Sequence, residues 1–405
     1  MARIVVCGYM VRHPLGGNML AYFHYVLGFH RLGHEVVYME ESGWSDSCFD
    51  PVKRDYGDDP RAGLHVVSDL FAAYGLDVPV VYVNRDSGRV EGADWDEVRG
   101  LLEGADLLLN VGGVCWLPDF RLCCRRALID MDPLFTQIGQ FGKEGRDEYY
   151  AYFTYGVNIG KTGCTVPSAG VDWMPTVPPV VPEMWYDAER SQADRGVGNM
   201  PAGSAFTTVA NWKAYGAATY HGERYGQKDE EFLRLLNLPN RTAQTLELAL
   251  AGVGTEDQHH LRAAGWSVRN AGEVSADVRT YRAYITGSRG EFSAAKHAYV
   301  KTRSGWFSDR SVCYLAAGLP VILQNTGFTD WLHTDHGVLA FSSIEQAADS
   351  LERVNAEYRT HCDAAREIVE RHFSYRTVLP AVLDRALAKG ADRGQASAQE
   401  ARNEK

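Results

Sequence analysis

Apolar residues occur in two rhythms, short continuous runs and longer stretches spaced three and four apart, and their alternation predicts strands exchanged with helices. Arg3 to Gly8 is a β-rich run that ends in a loop containing Gly, Pro and Asn. Leu20 to Leu32 carries apolar positions at helical spacing, Gly33 stops it, and His34 to Met39 follows as a second strand. A strand, helix and strand in about 35 residues is the mark of a parallel sheet with right-handed crossovers. Val78 to Val83, Leu107 to Val111 and Ala127 to Met131 read as further strands, with Asp94 to Leu102 as a helix among them. The Pro-rich segment Trp173 to Trp185 must be extended and, with the polar stretch Gln192 to Gly203, reads as a linker. Beyond it the pattern restarts. Phe206 to Asn211, Thr245 to Gly252, Tyr284 to Thr286 and Val321 to Gln324 suggest a second sheet, Lys228 to Leu236 and Ile344 to Val369 are helical, and Ala386 to Lys405 is a low-complexity, frayed tail.

The expected fold class is α/β, with two Rossmann-like, doubly wound domains facing a central cleft. A length of 405 residues exceeds what one core usually organises. The boundaries expected are an N-terminal domain over 1–190, a C-terminal domain over 191–372, and a C-terminal helix and tail over 373–405. A net charge of -11 argues against nucleic acid as a partner, because binding a phosphate backbone needs a basic face. It leaves room for one anionic ligand held locally by a helix N-terminus and a few basic side chains. Eight cysteines without CxxC spacing make zinc and a disulfide framework poor readings, and no acidic DxD-type cluster calls for a metal. No 18-residue apolar run predicts stable membrane insertion and the opening run is too short for a signal peptide, so a cytoplasmic location is expected.

The most informative segment is Ser304 to Phe328, SGWFSDRSVCYLAAGLPVILQNTGF. Ser308 fits an N-cap, Asp309 and Ser311 the first turn, and Gly318 a C-cap before Pro320 and a buried strand. Such a helix mouth beyond a parallel strand suits phosphate, and Arg310 in the first turn is placed to fork a diphosphate. A plain capped helix with a surface Arg is the competing reading. The helix, the AAGLPVI strand and the TGF loop resemble the donor-binding half of GT-B fold glycosyltransferases, of the family 1 or group 1 kind, over roughly Phe206 to Phe373. Cys313 and Gly305 stand where many retaining members of that family carry paired glutamates, which leaves stereochemistry open and moves sugar recognition elsewhere. The resemblance implies a hexosyl transfer from a nucleotide diphosphate-sugar co-substrate, with no other cofactor. Glu291 is a candidate acceptor of sugar hydroxyls, Lys296 a phosphate partner, Lys213 and Lys228 further basic candidates, and Thr326 and Gly327 part of the donor loop.

Transfer needs a base for the acceptor, and His13 lies directly after the first strand in Arg12-His13-Pro14-Leu15-Gly16-Gly17-Asn18. In inverting enzymes of the GT-B family a His in this loop is the base, held by an Asp from a later strand. Asp130 and Asp132, in IDMDP at a strand end, are candidates for that carboxylate, against turn-capping as the ordinary alternative. Gly16 and Gly17 permit close approach of an acceptor, Asn18 can cap the next helix, and Tyr152 to Gly170 reads as acceptor-side loops. Trp116, Trp212 and Trp306 are candidates to stack on a ligand, or core residues. A soluble acceptor, a small natural product or a glycan, is favoured because no basic amphipathic helix is present. Two rivals remain: a nucleotide-sugar 2-epimerase working through Glu291 and Asp132, and a non-catalytic nucleotide- or sugar-binding protein. The sequence leaves sugar, nucleobase, acceptor and oligomeric state open.

Overall fold

A computed structural model describes residues 1–139, 148–186, 205–333 and 335–388. The first half contributes β1 (Arg3–Cys7), β2 (Glu35–Ser42), β3 (Cys48–Asp50), β4 (Asp55–Gly57), β5 (Val80–Asn84), β6 (Arg89–Glu91), β7 (Leu107–Val111), β8 (Arg126–Asp130), β9 (Ala151–Thr154) and β10 (Trp173–Pro175). Eight of these form one sheet in the order β10-β9-β8-β7-β1-β2-β5-β6, parallel except for the β5–β6 edge, while β3 and β4 make a separate hairpin. The second half contributes β11 (Phe206–Asn211), β12 (Ala218–Tyr220), β13 (Glu223–Tyr225), β14 (Leu246–Ala251), β15 (Ser267–Asn270), β16 (Gly290–Ser293), β17 (Val321–Gln324) and β18 (Val338–Phe341). Six of these form an all-parallel sheet in the order β15-β14-β11-β16-β17-β18.

Central strands such as β1, β7 and β17 are apolar almost throughout because helices cover both faces of a parallel sheet, so there is no solvent side to take polar residues. The two doubly wound domains expected from the sequence are therefore present. The Gly16–Arg31 helix crosses from β1 to β2 and buries Phe23, Val26 and Leu27 in the first core. The chain closes on that same core: residues 375–388 are helical, and Tyr375, Val378, Leu379, Val382 and Leu383 pack there. Gly28 lets this return helix approach, since a Cβ at that position would lie 2.5 Å from Leu379 Cδ1.

Three readings of the pattern are corrected. Tyr284 to Thr286 is the end of a helix, Val278–Thr286, in which Val278, Tyr281 and Ile285 are buried at helical spacing and the Asp277 carboxylate caps Thr280 N. Three residues with β-favouring side chains looked like a strand only in isolation. Ile344 to Val369 is two helices, Ile344–Ala356 and Tyr358–Ile368, separated at Glu357 (φ -128°) and followed by a π-helical turn, Val369–Phe373. The Pro-rich segment belongs to the first domain: β10 extends its sheet, and Val180 bridges to Ser374 beside the return helix. The expected linker Gln192 to Gly203, with the boundary at 190, and most of the tail from Ala386 onward lie outside the described residues. Among the described residues no helix is long and apolar enough to cross a membrane.

Candidate functional site

A cleft of about 1180 Å³ opens between the domains at the carboxyl ends of both sheets, where open α/β folds bind ligands. Its second-domain wall holds the helix mouth read from the sequence. The helix runs Asp309–Ala316, Ser308 is its N-cap, and the Ser308 side chain makes no capping bond, so the first N–H groups keep their free valences. Ser308, Asp309 and Arg310 line the cleft. Ser311 is fully buried behind them, its hydroxyl without a hydrogen-bond partner among the described residues.

Arg310 is committed before any ligand arrives. Its Nε meets Glu291 Oε1 at 2.6 Å, Nη1 the Val209 carbonyl at 2.8 Å and Nη2 Ser293 Oγ at 2.8 Å. Burial works against the charge, and the Glu291 carboxylate outweighs it, holding the guanidinium above its ordinary value. Glu291 is wholly buried in β16 and does not line the cleft, so the structure does not bring it to a sugar. The charge-rich look of Ser288 to Lys296 reflects this internal ion pair. Lys228, at the start of the Lys228–Arg234 helix, faces the cleft instead. Burial, then the charge of Arg310, push its ammonium well below the ordinary lysine value, and no carboxylate lies within ion-pair distance among the described residues. Lys213 is 57% exposed, pairs with Asp229 at 3.4 Å and stands off the cleft wall.

Lys296 lines the cleft and reaches across it. Its Nζ lies 2.7 Å from Asp132 Oδ2 and 2.6 Å from the Tyr215 hydroxyl, over the rings of Phe135, Tyr215 and Tyr299. Tyr215 and Tyr299 also donate to the Asp132 carboxylate. Burial and then the Asp132 charge raise both phenols, which keeps them protonated donors. Asp132 is thus clasped by the opposite domain and does not reach His13. Asp130 is unavailable as well. Its carboxylate, 1% exposed, accepts from Thr136 Oγ1, Asp132 N, Gln137 Nε2 and Thr154 Oγ1 at 2.6 to 2.9 Å. The expected His–Asp dyad is absent because both carboxylates have been taken by nearer donors.

His13 does line the cleft, held by aromatic rings in place of an acid. Tyr9 and Tyr56 stack beside it at 5.8 and 6.3 Å between centroids, Phe49 tilts against it at 5.6 Å, and the Tyr56 hydroxyl is 3.4 Å from Nδ1. The β3–β4 hairpin supplies Phe49 and Tyr56. Burial in this apolar nest lowers the imidazole below its ordinary value, so it is neutral near pH 7. The loop that carries it is pinned by Glu40: its carboxylate accepts from Val11 N, Arg12 N, Arg12 Nε and the Tyr38 hydroxyl at 2.6 to 3.0 Å. Sequence reading missed Glu40; only a carboxylate directly after the apolar run Val36 to Met39 marks it.

The glycines of this loop sit at the domain seam, and Gly17, with Asn18, also lines the cleft. A Cβ on Gly16 would sit 2.3 Å from the Asp277 carbonyl, and one on Gly17 3.1 Å from the Tyr281 ring; Gly16 N donates to the Ser275 carbonyl at 2.9 Å. Asn18 does not cap the helix. Leu15 occupies the N-cap, and Asn18 Nδ2 donates to the carbonyls of Tyr9 (2.6 Å) and His13 (2.8 Å), holding the loop. Thr326 and Gly327, by contrast, lie off the cleft: Thr326 donates to the Trp306 carbonyl at 2.6 Å, and Gly327, with Gly305, makes room for Asn158 of the first domain. Asn158 Nδ2 donates to the Gly327 carbonyl at 2.9 Å. Tyr152 to Gly170 therefore builds the seam and does not line the cleft. Of the three tryptophans, Trp306 lines the cleft and donates to the Met131 carbonyl at 3.1 Å; Trp212 is core, and Trp116 packs at the sheet edge.

No family model matches the sequence, and no curated relative does. Solved structures do match over nearly the whole chain. An α-glucosyltransferase in complex with UDP aligns with a TM-score of 0.57 at 11% identity, covering 95% of this chain and 100% of its own. The fold is that of GT-B glycosyltransferases. A glycosyltransferase of avilamycin A biosynthesis, AviGT4, gives 0.54 at 14% identity over 96% of this chain and 98% of its own. Anabaena HepE, solved with UDP and glucose, gives 0.53 at 9% identity over 95% and 99%. In this GT-B chain the helix mouth, basic side chains and His13 converge on the cleft between the sheets.

Proposed function

We propose that this protein is a glycosyltransferase that moves a sugar from a nucleoside diphosphate-sugar to an acceptor hydroxyl. The observation that carries the reading is the chemistry of the second-domain wall: Lys228, with no carboxylate in ion-pair reach among the described residues, stands beside an uncapped helix N-terminus in a cleft that two GT-B domains share. An anionic diphosphate supplies what this wall lacks, since it charges Lys228 fully and accepts from the free N–H groups. Structural neighbours with UDP, or UDP and glucose, bound support a donor of that class.

In the transfer, the acceptor oxygen forms a bond to the anomeric carbon. The bond from that carbon to the diphosphate oxygen breaks, and the diphosphate leaves with the electron pair. With Nδ1–H directed at Tyr56, His13 Nε2 holds a lone pair for the acceptor proton. Lys228 and the helix dipole stabilise the charge that grows on the leaving group. Glu291 contributes by fixing Arg310 and the wall behind the site, without touching substrate.

The test is calorimetric titration of UDP and GDP against the wild type and Lys228→Ala. At least one nucleoside diphosphate should bind, and the variant should bind it about 10- to 100-fold more weakly, the loss of one charge-assisted contact. Equal affinities, or no binding of either nucleotide to the wild type, would remove this donor site.

A further inference from the structure

The two walls of the cleft differ in charge. The second-domain wall carries Lys228, Arg262, Arg269 and Arg310 beside the carboxylates Glu247, Glu273 and Asp309. On the first-domain wall, among the described residues, Asp132 alone carries a fixed charge, and Lys296 already neutralises it at 2.7 Å. Besides His13 and the backbone of Gly17 and Gly112, the remainder of that wall is Leu15, Ala21, Tyr22, Val114 and Met131, with Asn18, whose amide is spent on two loop carbonyls. Arg12 sits nearby but is sealed off: it is fully buried, paired with Glu40 at 3.0 Å, and donates to the Val114 carbonyl at 2.8 Å. His13 is neutral and ringed by Tyr9, Phe49 and Tyr56.

From this asymmetry we infer that the acceptor is an uncharged, largely apolar small molecule with a hydroxyl, lying on Leu15, Ala21, Tyr22, Val114 and Met131 with that hydroxyl toward His13. An anionic acceptor would give up its hydration to a wall with no free cation, at a cost that nothing there offsets. A free sugar, with a hydroxyl on nearly every carbon, would meet few donors or acceptors. An apolar body gains by burial against these side chains, and one hydroxyl is all that His13 requires. This inference rests on the transferase reading, and it runs against nucleic acid as acceptor, although one structural neighbour was solved with UDP-glucose and DNA.

The experiment uses the full chain saturated with whichever nucleoside diphosphate it binds, so failure of the donor site shows first and separately. Four probes are titrated: 2-naphthol, 2-naphthol-6-sulfonate, glucose and a single-stranded oligodeoxynucleotide. Naphthol should bind at least about tenfold more tightly than its sulfonate, glucose or the oligonucleotide, a gap of about 1.4 kcal/mol. Ala21→Trp fills the wall and should abolish naphthol binding while the nucleotide still binds. Val114→Arg sets a cation there and should shift preference toward the sulfonate, which keeps the assignment testable if the Trp variant does not fold. Sulfonate, glucose or oligonucleotide binding as tightly as naphthol would overturn the inference, as would unaltered naphthol binding in both variants.

Discussion

His13, in a loop, and Arg310, in the first turn of a helix, have different surroundings in the structure. A half-buried, neutral imidazole, as proposed for the base, works only while unprotonated. Burial lowers its pKa below the ordinary 6.5, so turnover should be flat above that value and fall on an acid limb below it. His13→Ala should lose about 10²- to 10⁴-fold in kcat with nucleotide affinity kept. A pH–rate profile of both proteins checks this, and an acid limb unchanged in the variant would assign it to another group. Arg310 is a different case, because Glu291 is 0% exposed, Arg310 Nε holds its Oε1, and its Oε2 has no hydrogen-bond partner among the described residues. Arg310→Ala should destabilise the fold by about 3 to 5 kcal/mol by stranding a buried carboxylate. Urea denaturation should show that loss, and Arg310→Ala with Glu291→Gln should recover part of it. A stability equal to wild type in the single variant would mean that the ion pair contributes nothing net.

Among the elements, the periodicity of the chain was a good guide wherever burial followed it. β7, β11 and β17 match the expected spans residue for residue, because each is a short run of mostly apolar or β-favouring residues buried along nearly its whole length. The Val278–Thr286 helix escaped because its polar face carries Tyr, Arg and Thr, and its apolar stripe is only three residues. Of the proposed donor side, the helix mouth at Ser308 to Arg310 was legible as a lining of the cleft, whereas Glu291, Lys213, Thr326 and Gly327 were expected there and lie elsewhere. The acceptor half was not legible, since the partners of His13 come from the β3–β4 hairpin some 40 residues on, and the partners of Asp132 from the other domain. Spacing in sequence carries no record of such contacts. One close approach joins an element to the chemistry: a Cβ on Gly63, in the Arg61–Ala73 helix, would fall 1.8 Å from the Val11 carbonyl in the loop that carries His13. Gly63→Ala adds helix propensity, about 1 kcal/mol, yet that overlap with backbone cannot be relieved by a side-chain turn. It should therefore destabilise by about 1 to 3 kcal/mol and lower kcat with nucleotide affinity intact. Thermal unfolding with steady-state rates measures both, and a more stable variant of full activity would show that the loop yields freely.

For the molecule as a whole, the seam is held at several separate places, and they differ in chemistry. The return helix over 375–388 is apolar and continuous with the first core, and Asn158 is wedged against Gly305 and Gly327. The Gly16 to Tyr281 contact is steric, while the Asp132 clasp with Lys296, Tyr215 and Tyr299 is ionic and stands inside the cleft itself. Only the last can be loosened without disturbing a core. Asp132 keeps 32% of its side chain exposed, so the clasp is a partly solvated pair worth about 1 kcal/mol or somewhat more with its phenol donors. Asp132→Asn should leave global stability within about 1 to 2 kcal/mol of wild type and shift the chain toward an opened cleft. Small-angle scattering should then give a larger radius of gyration for the variant, returning toward the wild-type value when nucleotide binds and draws the walls together. Scattering identical to wild type without ligand would mean that Asn158 and the return helix suffice to keep the cleft closed, and that the Asp132 carboxylate serves the site alone.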